Sequence, residues 1–300
     1  MQTKIELGKP RDFGEIIGDT FAFIRQNFKP LLKYFFIFCG FFLLASAAIN
    51  VMLQVRVFDA VNYASSAAYD RAANPWENII GVLPEYLLLF VITILMYVSI
   101  NVMVLCYTAL YQRKQNTPPT VEEMWGYFKY YYLRILWASF VCSLVVIGGT
   151  ILCVLPGIYL YVVMALVPSI IAIENASFGY AFNQSFKLIK DNWWVTFGVL
   201  VVIYLILYFA NLVVAIPSVI LGAGSVFLHL FKGTSALSIP AAIFTTIIQS
   251  FSYVFQMLMI LAINLCYFNL TETKEGTSLL GRIDQFGAPD TATDKAPEEY

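Results

Sequence analysis

Six long runs almost free of charge leave this chain few folds to adopt. Residues 31–53, 86–111, 135–155, 157–173, 193–216 and 240–268 each fall near the roughly 20 apolar residues that carry a helix across about 30 Å of hydrocarbon. With 60% apolar and only 12% charged residues, too little polar surface remains to cover a water-soluble globule. Backbone amides in hydrocarbon must be satisfied within their own segment, so the runs are read as helices. The sequence therefore predicts an all-α polytopic membrane protein with about six transmembrane helices and two or three interfacial amphipathic helices. The fourth run is short and opens at Pro156-Gly157, which predicts a tight hairpin with the third. A further apolar stretch, 218–231, carries Gly222 and Gly224 and is too short to cross. It is read as either an outer-face interfacial helix or a shallow re-entrant loop.

A segment near the start recurs at mid-chain. Residues 13–28, FGEIIGDTFAFIRQNF, align at an offset of 165 with residues 178–193, FGYAFNQSFKLIKDNW, and a long apolar run follows each at once. Phe13, Ile16, Ile17, Phe21, Ile24 and Phe28 recur at helical spacing, and such a helix lies in the membrane interface with its apolar side down. Asp12 with Glu15 has capping-box spacing, Ser177 holds the matching position before the second copy, and Thr120 with Glu123 opens a third candidate. The exits echo each other as Leu105-Cys106-Tyr107 and Leu265-Cys266-Tyr267. The expected organisation is one membrane domain, 1–284. Its repeat-like halves cover about 12–115 and 177–276, in the same orientation, around a middle hairpin at about 120–173. The Pro- and acid-rich residues 285–300 are expected to be a disordered tail.

Orientation follows from the basic residues, because cytoplasmic connections retain Lys and Arg. Of the 18, all but Arg56, Arg71 and Lys232 fall on one side if both termini are cytoplasmic. That asymmetry outweighs a net charge of −1, and no basic domain points to nucleic acid. Ala45-Ser46-Ala47 resembles a leader-peptidase site, but the mid-chain copy of the preceding segment argues for a structural first span. Cys39, Cys106, Cys142, Cys153 and Cys266 all lie in predicted spans without a CxxC pair, so they read as reduced packing residues.

Intramembrane enzymes and ion-coupled transporters place ionisable groups within their spans, and these spans have essentially none. Lys33, Glu85 and Glu174 sit at span boundaries, and His229 stands alone in the 218–231 stretch. No GxSxG serine or phosphate-binding glycine loop occurs, so no catalytic, cofactor or metal residue is expected. The neutral polar residues are the candidates left, as helix–helix hydrogen bonds or as a pathway for a neutral or lipid-like solute. Gln249, Gln256 and Asn264 share roughly one face of the sixth span, and Asn101 lies in the second. Aromatic residues such as Tyr127, Tyr130, Tyr131, Tyr132, Trp193 and Trp194 gather near the span ends, as an anchoring belt does.

The stretch VLPGIYLYVVMALVPSIIAIENASFGYAFNQSFKLIKDNWWVTFG, residues 154–198, resembles the membrane domain associated with glycerophosphoryl diester phosphodiesterases and related bacterial membrane proteins. The likeness rests on Pro156-Gly157 opening a span, Glu174 closing it, and the aromatic-rich Ala/Ser helix from Ala181 to Trp194. The exit CYFNLTETKEGTSLL is similar too, through Tyr267, Leu270, Glu275 and Gly276, with Thr271 and Thr273 where the family usually has arginines. The resemblance implies a membrane module in a bacterial inner membrane. It carries no phosphodiesterase activity, since that chemistry belongs to a separate soluble barrel. The function expected from the sequence is a non-enzymatic scaffold or accessory factor in contact with lipids and other membrane proteins or copies of itself. The alternative is a transporter or channel for a neutral or lipid-like solute.

Overall fold

The computed structural model describes residues 5–65, 75–114, 116–232 and 238–276, with the backbone alone for 57–65, 75–79, 221–232, 238, 239, 241 and 275. The elements are α1 Phe13–Ser65, α2 Pro75–Arg113, α3 Val121–Leu152, α4 Val154–Ala165, α5 Val167–Glu174, α6 Phe178–Ile189, α7 Trp193–Lys232 and α8 Ser238–Glu275. Among the described residues there is no strand. Six stretches are long and apolar enough to cross a membrane: Phe13–Arg56, Ile80–Arg113, Val121–Leu152, Val154–Glu174, Trp193–Ile220 and Ala242–Lys274. The chain is a multi-pass helical membrane protein.

The C-terminal halves of α2 and α8 form the centre. From Ile100 through Tyr111, α2 buries nearly every side chain, and α8 does the same from Met257 to Leu270. A helix apolar on every side belongs inside a bundle, whereas α3 and α7 keep exposed stripes such as Leu133, Trp137, Phe140 and Tyr204, Tyr208, Phe209 for lipid. Polar side chains lock the centre. Tyr107 Oη donates to Asn27 Oδ1 at 2.8 Å, and Tyr267 Oη donates to Glu174 Oε1 at 2.7 Å. At the opposite end, Arg56 pairs with Glu85 at 2.6 Å and Thr245 Oγ1 donates to Gln54 Oε1 at 2.8 Å.

The helices are longer and fewer-jointed than the sequence predicts. The first amphipathic segment does not stand apart from its span: both belong to α1, which leaves helical geometry only at Asn27 (φ −111°, ψ 16°). Pro30 explains the bend, since it supplies no amide to the carbonyl four residues earlier. The third amphipathic segment likewise runs unbroken into α3, behind a complete capping box at Thr120 and Glu123. Only α6 is separate. It ends at Ile189, and a turn closed by Asn192 N donating to Ile189 O at 3.0 Å precedes Trp193. Ser177 holds the cap position there without a side-chain cap bond, whereas Glu15 does accept from Asp12 N at 3.0 Å.

The two similar segments bury matching positions. Ile16 and Ala181, Thr20 and Ser185, Phe23 and Leu188, Leu31 and Thr196, Tyr34 and Val199, Phe35 and Leu200, and Phe38 and Ile203 are all buried at an offset of 165. The bend at Asn27 and the turn at Asn192 fall at the same place in that register.

Two expectations are corrected. The 218–231 stretch is neither a separate interfacial helix nor a re-entrant loop: α7 continues through Pro217 to Lys232, the proline costing one ladder bond without ending the helix. Cys153 is not a packing residue. It is the exposed, extended residue (φ −168°, ψ 147°) joining α3 to α4, while Cys39, Cys106, Cys142 and Cys266 are buried. The His229 side chain and the 285–300 tail lie outside the described residues.

Candidate functional site

Three hollows among the described residues lie along α3. Gly126, Tyr130, Leu133, Trp137, Phe140, Ser143 and Ile147 recur every three or four residues, so they form one stripe from the Thr120 end towards the hairpin. An apolar groove of about 810 Å³ runs between this stripe and α2, walled by Phe90, Ile94 and Val98 on one side and Leu133, Trp137 and Phe140 on the other. Phe90, Leu133, Trp137 and Phe140 are all more than half exposed, so the groove opens sideways into the space hydrocarbon fills. Leu133 to Ile147 spans about 21 Å along the helix axis, more than the ~15 Å depth of one leaflet's hydrocarbon.

A second hollow, of about 380 Å³, shares Ser139, Ser143 and Ile147 with the groove and continues to α4 and α8. Tyr97, Asn101, Tyr161 and Gln256 bring polar atoms to it. Tyr97 Oη donates to Gln256 Oε1 at 3.1 Å, and Asn101 Nδ2 donates to the Tyr97 carbonyl at 3.4 Å. Tyr97 and Gln256 partner each other, Asn101 is held on the backbone, and all four groups are neutral, so an apolar cavity ends in a polar patch without charge.

The third hollow, about 490 Å³, lies at the Thr120 end. Arg113, the last residue of α2, faces Glu122, Glu123, Gly126, Tyr127, Tyr130 and Tyr131 of α3 and Asn175 after α5. Arg113 donates to Tyr127 Oη and lies 5.6 Å from that ring's centroid. Arg134 stacks on Tyr130 at 5.4 Å and donates to Asn175 Oδ1 at 2.8 Å, which ties α3 to the left-handed turn at Asn175. Cation–π contact and hydrogen bonding together hold the tyrosines upright.

Of the four residues singled out by sequence, Asn101 and Gln256 meet in the second hollow. Asn264 lies elsewhere, wholly buried, where Ser169 Oγ donates to its Oδ1 at 2.7 Å and its Nδ2 donates to Thr108 Oγ1 at 3.3 Å. It clasps α8 to α5 and α2. Gln249 is exposed and lines none of the three hollows. Sequence reasoning reads Tyr127, Tyr130 and Tyr131 only as an interface belt and Arg113 only as an orientation charge. Their spacing from α2 to α3 depends on a loop the sequence leaves open. Among the described residues no group of three His, Cys, Asp or Glu is placed to hold a metal ion.

Fold and hollows define a multi-pass helical membrane protein with lateral cavities. Residues 132–268, from α3 into α8, match a family model described as "Domain of unknown function (DUF7847)", a match over somewhat less than half of the chain. That match carries no link to the phosphodiesterase membrane domain. No curated protein and no solved structure matches the chain.

Proposed function

We propose that this protein binds a membrane lipid sideways, with an acyl chain in the groove between α2 and α3 and the neutral polar patch of Tyr97, Asn101 and Gln256 beside it. The observation that carries this reading is the continuity of a laterally open apolar groove with an uncharged polar hollow through Ser139, Ser143 and Ile147. We read the role as non-enzymatic, in keeping with spans that hold almost no ionisable group. Its weight moves from scaffolding to lipid binding, because the groove gives a lipid a place.

The test is lipid retention by the purified full-length chain. Ser143→Trp fills the shared wall of both hollows and is expected to lower bound lipid at least about tenfold, equivalent to ~1.4 kcal/mol, less than the burial of two methylenes contributes. Asn264→Ala should leave retention unchanged while lowering thermal stability, since its bonds are structural and average ~0.6 kcal/mol each. Unchanged retention in Ser143→Trp would sink the reading.

The basic-residue asymmetry supports an inner-membrane orientation with both termini cytoplasmic, which puts the Arg113 hollow in the cytoplasmic leaflet. The seven matched buried pairs support reading the halves as same-orientation copies.

A further inference from the structure

The groove needs a headgroup at its rim, and the Arg113 hollow lies on the same stripe of α3. Tyr130 lines the hollow, and Leu133, one turn further on, begins the groove. Its charges are specific. Glu123 is paired with Lys114 at 2.7 Å, so it is neutralised locally. Arg113 and Glu122 form no ion pair among the described residues, although both line the hollow. Arg113 and Glu122, a cation and an anion without an ion-pair partner among the described residues, therefore line the same 490 Å³ space, while Arg134 lies behind the Tyr130 and Tyr131 rings with its guanidinium donating to Tyr130 Oη, Asn175 Oδ1 and the Ala176 carbonyl. A volume in that range suits a small polar ligand. A ligand carrying only negative charge would gain Arg113 and be repelled by Glu122.

Resting on the groove reading, we propose that this hollow binds the headgroup of a zwitterionic phospholipid. The phosphodiester takes the free N–H groups of Arg113 with the tyrosine hydroxyls, and the ammonium pairs with Glu122. Arginine suits the phosphate because its planar fork presents parallel donors to two oxygens. The acyl chain then follows Tyr130 and Leu133 down into the groove.

Full-length protein in detergent is titrated with phosphatidylethanolamine or phosphatidylglycerol of equal chains, and bound lipid is counted by native mass spectrometry. Wild type should retain the ethanolamine lipid at least about fivefold better. Glu122→Gln should erase or reverse that preference, and Arg113→Ala should weaken both lipids about tenfold. Glu122 is exposed at the surface, so Glu122→Gln should melt with the wild type; Tyr130→Phe, which keeps the ring, serves as a second variant and should weaken the ethanolamine lipid without reversing preference. Equal or better retention of the glycerol lipid by wild type overturns the proposal. So does competition by acyl-free glycerophosphoethanolamine at equal concentration. Lipid lost in Ser143→Trp but indifferent to headgroup would leave the groove reading standing and remove this one. Headgroup preference surviving Ser143→Trp would do the reverse.

Discussion

A single missing methyl group sets how closely α3 and α4 approach. A Cβ on Gly157 would meet Thr150 Oγ1 at 2.2 Å and Thr150 Cα at 2.8 Å, and the second of those is backbone that cannot swing away. Gly149 faces Leu160 Cδ1 at 2.6 Å, a flexible tip that can yield more easily. Gly157→Ala should therefore lower thermal stability by about 1–3 kcal/mol, the usual cost of overpacking, with Gly149→Ala costing less. Melting of the two variants in detergent checks the order, and an unchanged Gly157→Ala melting temperature would refute it. The Pro156-Gly157 pair signals this hairpin in the sequence. The turn itself falls at Cys153, which no spacing rule singles out, because one extended residue suffices where Gly157 lets the helices touch.

At the scale of elements, the ends of the bundle are tied by side chains that span long sequence distances. Arg11 is gripped in two ways: its wholly buried side chain bonds within the strap and to α1, donating to the Leu7, Lys9 and Glu6 carbonyls and to Asp19 Oδ2 at 2.8 Å, while the long-range tie is made at its backbone by a side chain of α8. The Arg11 backbone amide donates to Asn269 Oδ1 of α8 at 2.7 Å, so the strap before α1, with Ile5 and Leu7 buried, is fastened to the last span. Charged hydrogen bonds contribute about 1.5–3 kcal/mol each, and Arg11→Ala should accelerate hydrogen exchange at residues 5–12 at least tenfold. Protection retained there would count against the strap. A second tie joins Lys274 of α8 to Asp191 in the turn after α6, at 3.0 Å. The hydrogen bond and charge of Lys274, helped by Lys190, hold the Asp191 carboxyl below its ordinary 3.8. A lowered carboxyl contributes stability above its unfolded value and loses it as pH falls through the folded one. The tie should thus persist at neutral pH and release only in acid below the usual carboxylate range; Asp191→Asn should remove that acid step from a pH series of exchange rates. Amphipathic spacing exposes α6 and the start of α1 in the sequence, but whether such a segment is a separate helix is decided elsewhere. Pro30 bends α1 without cutting it, and only the Lys190–Asn192 turn makes a true break.

For the whole molecule, what is legible in the sequence is what hydrocarbon enforces: six spans, the apolar core, the neutral polar positions. Asn101 and Gln256 are recognisable as polar groups within spans, yet their meeting, and the withdrawal of Asn264 into a clasp, depend on how α8 rotates against α2 and α5. Packing of nearly featureless apolar faces decides that rotation, and no local pattern encodes it. Orientation is the remaining global property, and the molecule carries its own reporter for it. Four of the five cysteines are buried, whereas Cys153 is exposed in the α3–α4 joint. The proposed orientation puts that joint on the outer face, and the α6–α7 turn with Lys190 on the cytoplasmic side. A membrane-impermeant maleimide should then label intact cells at Cys153, and Cys153→Ser should abolish the signal. In that cysteine-poor background, Lys190→Cys should react only after permeabilisation, because the turn follows the amphipathic helix on the inner side. Labelling of Lys190→Cys in intact cells, with Cys153 silent, would invert the molecule, carry the Arg113 hollow to the outer leaflet, and change which lipid population it can meet.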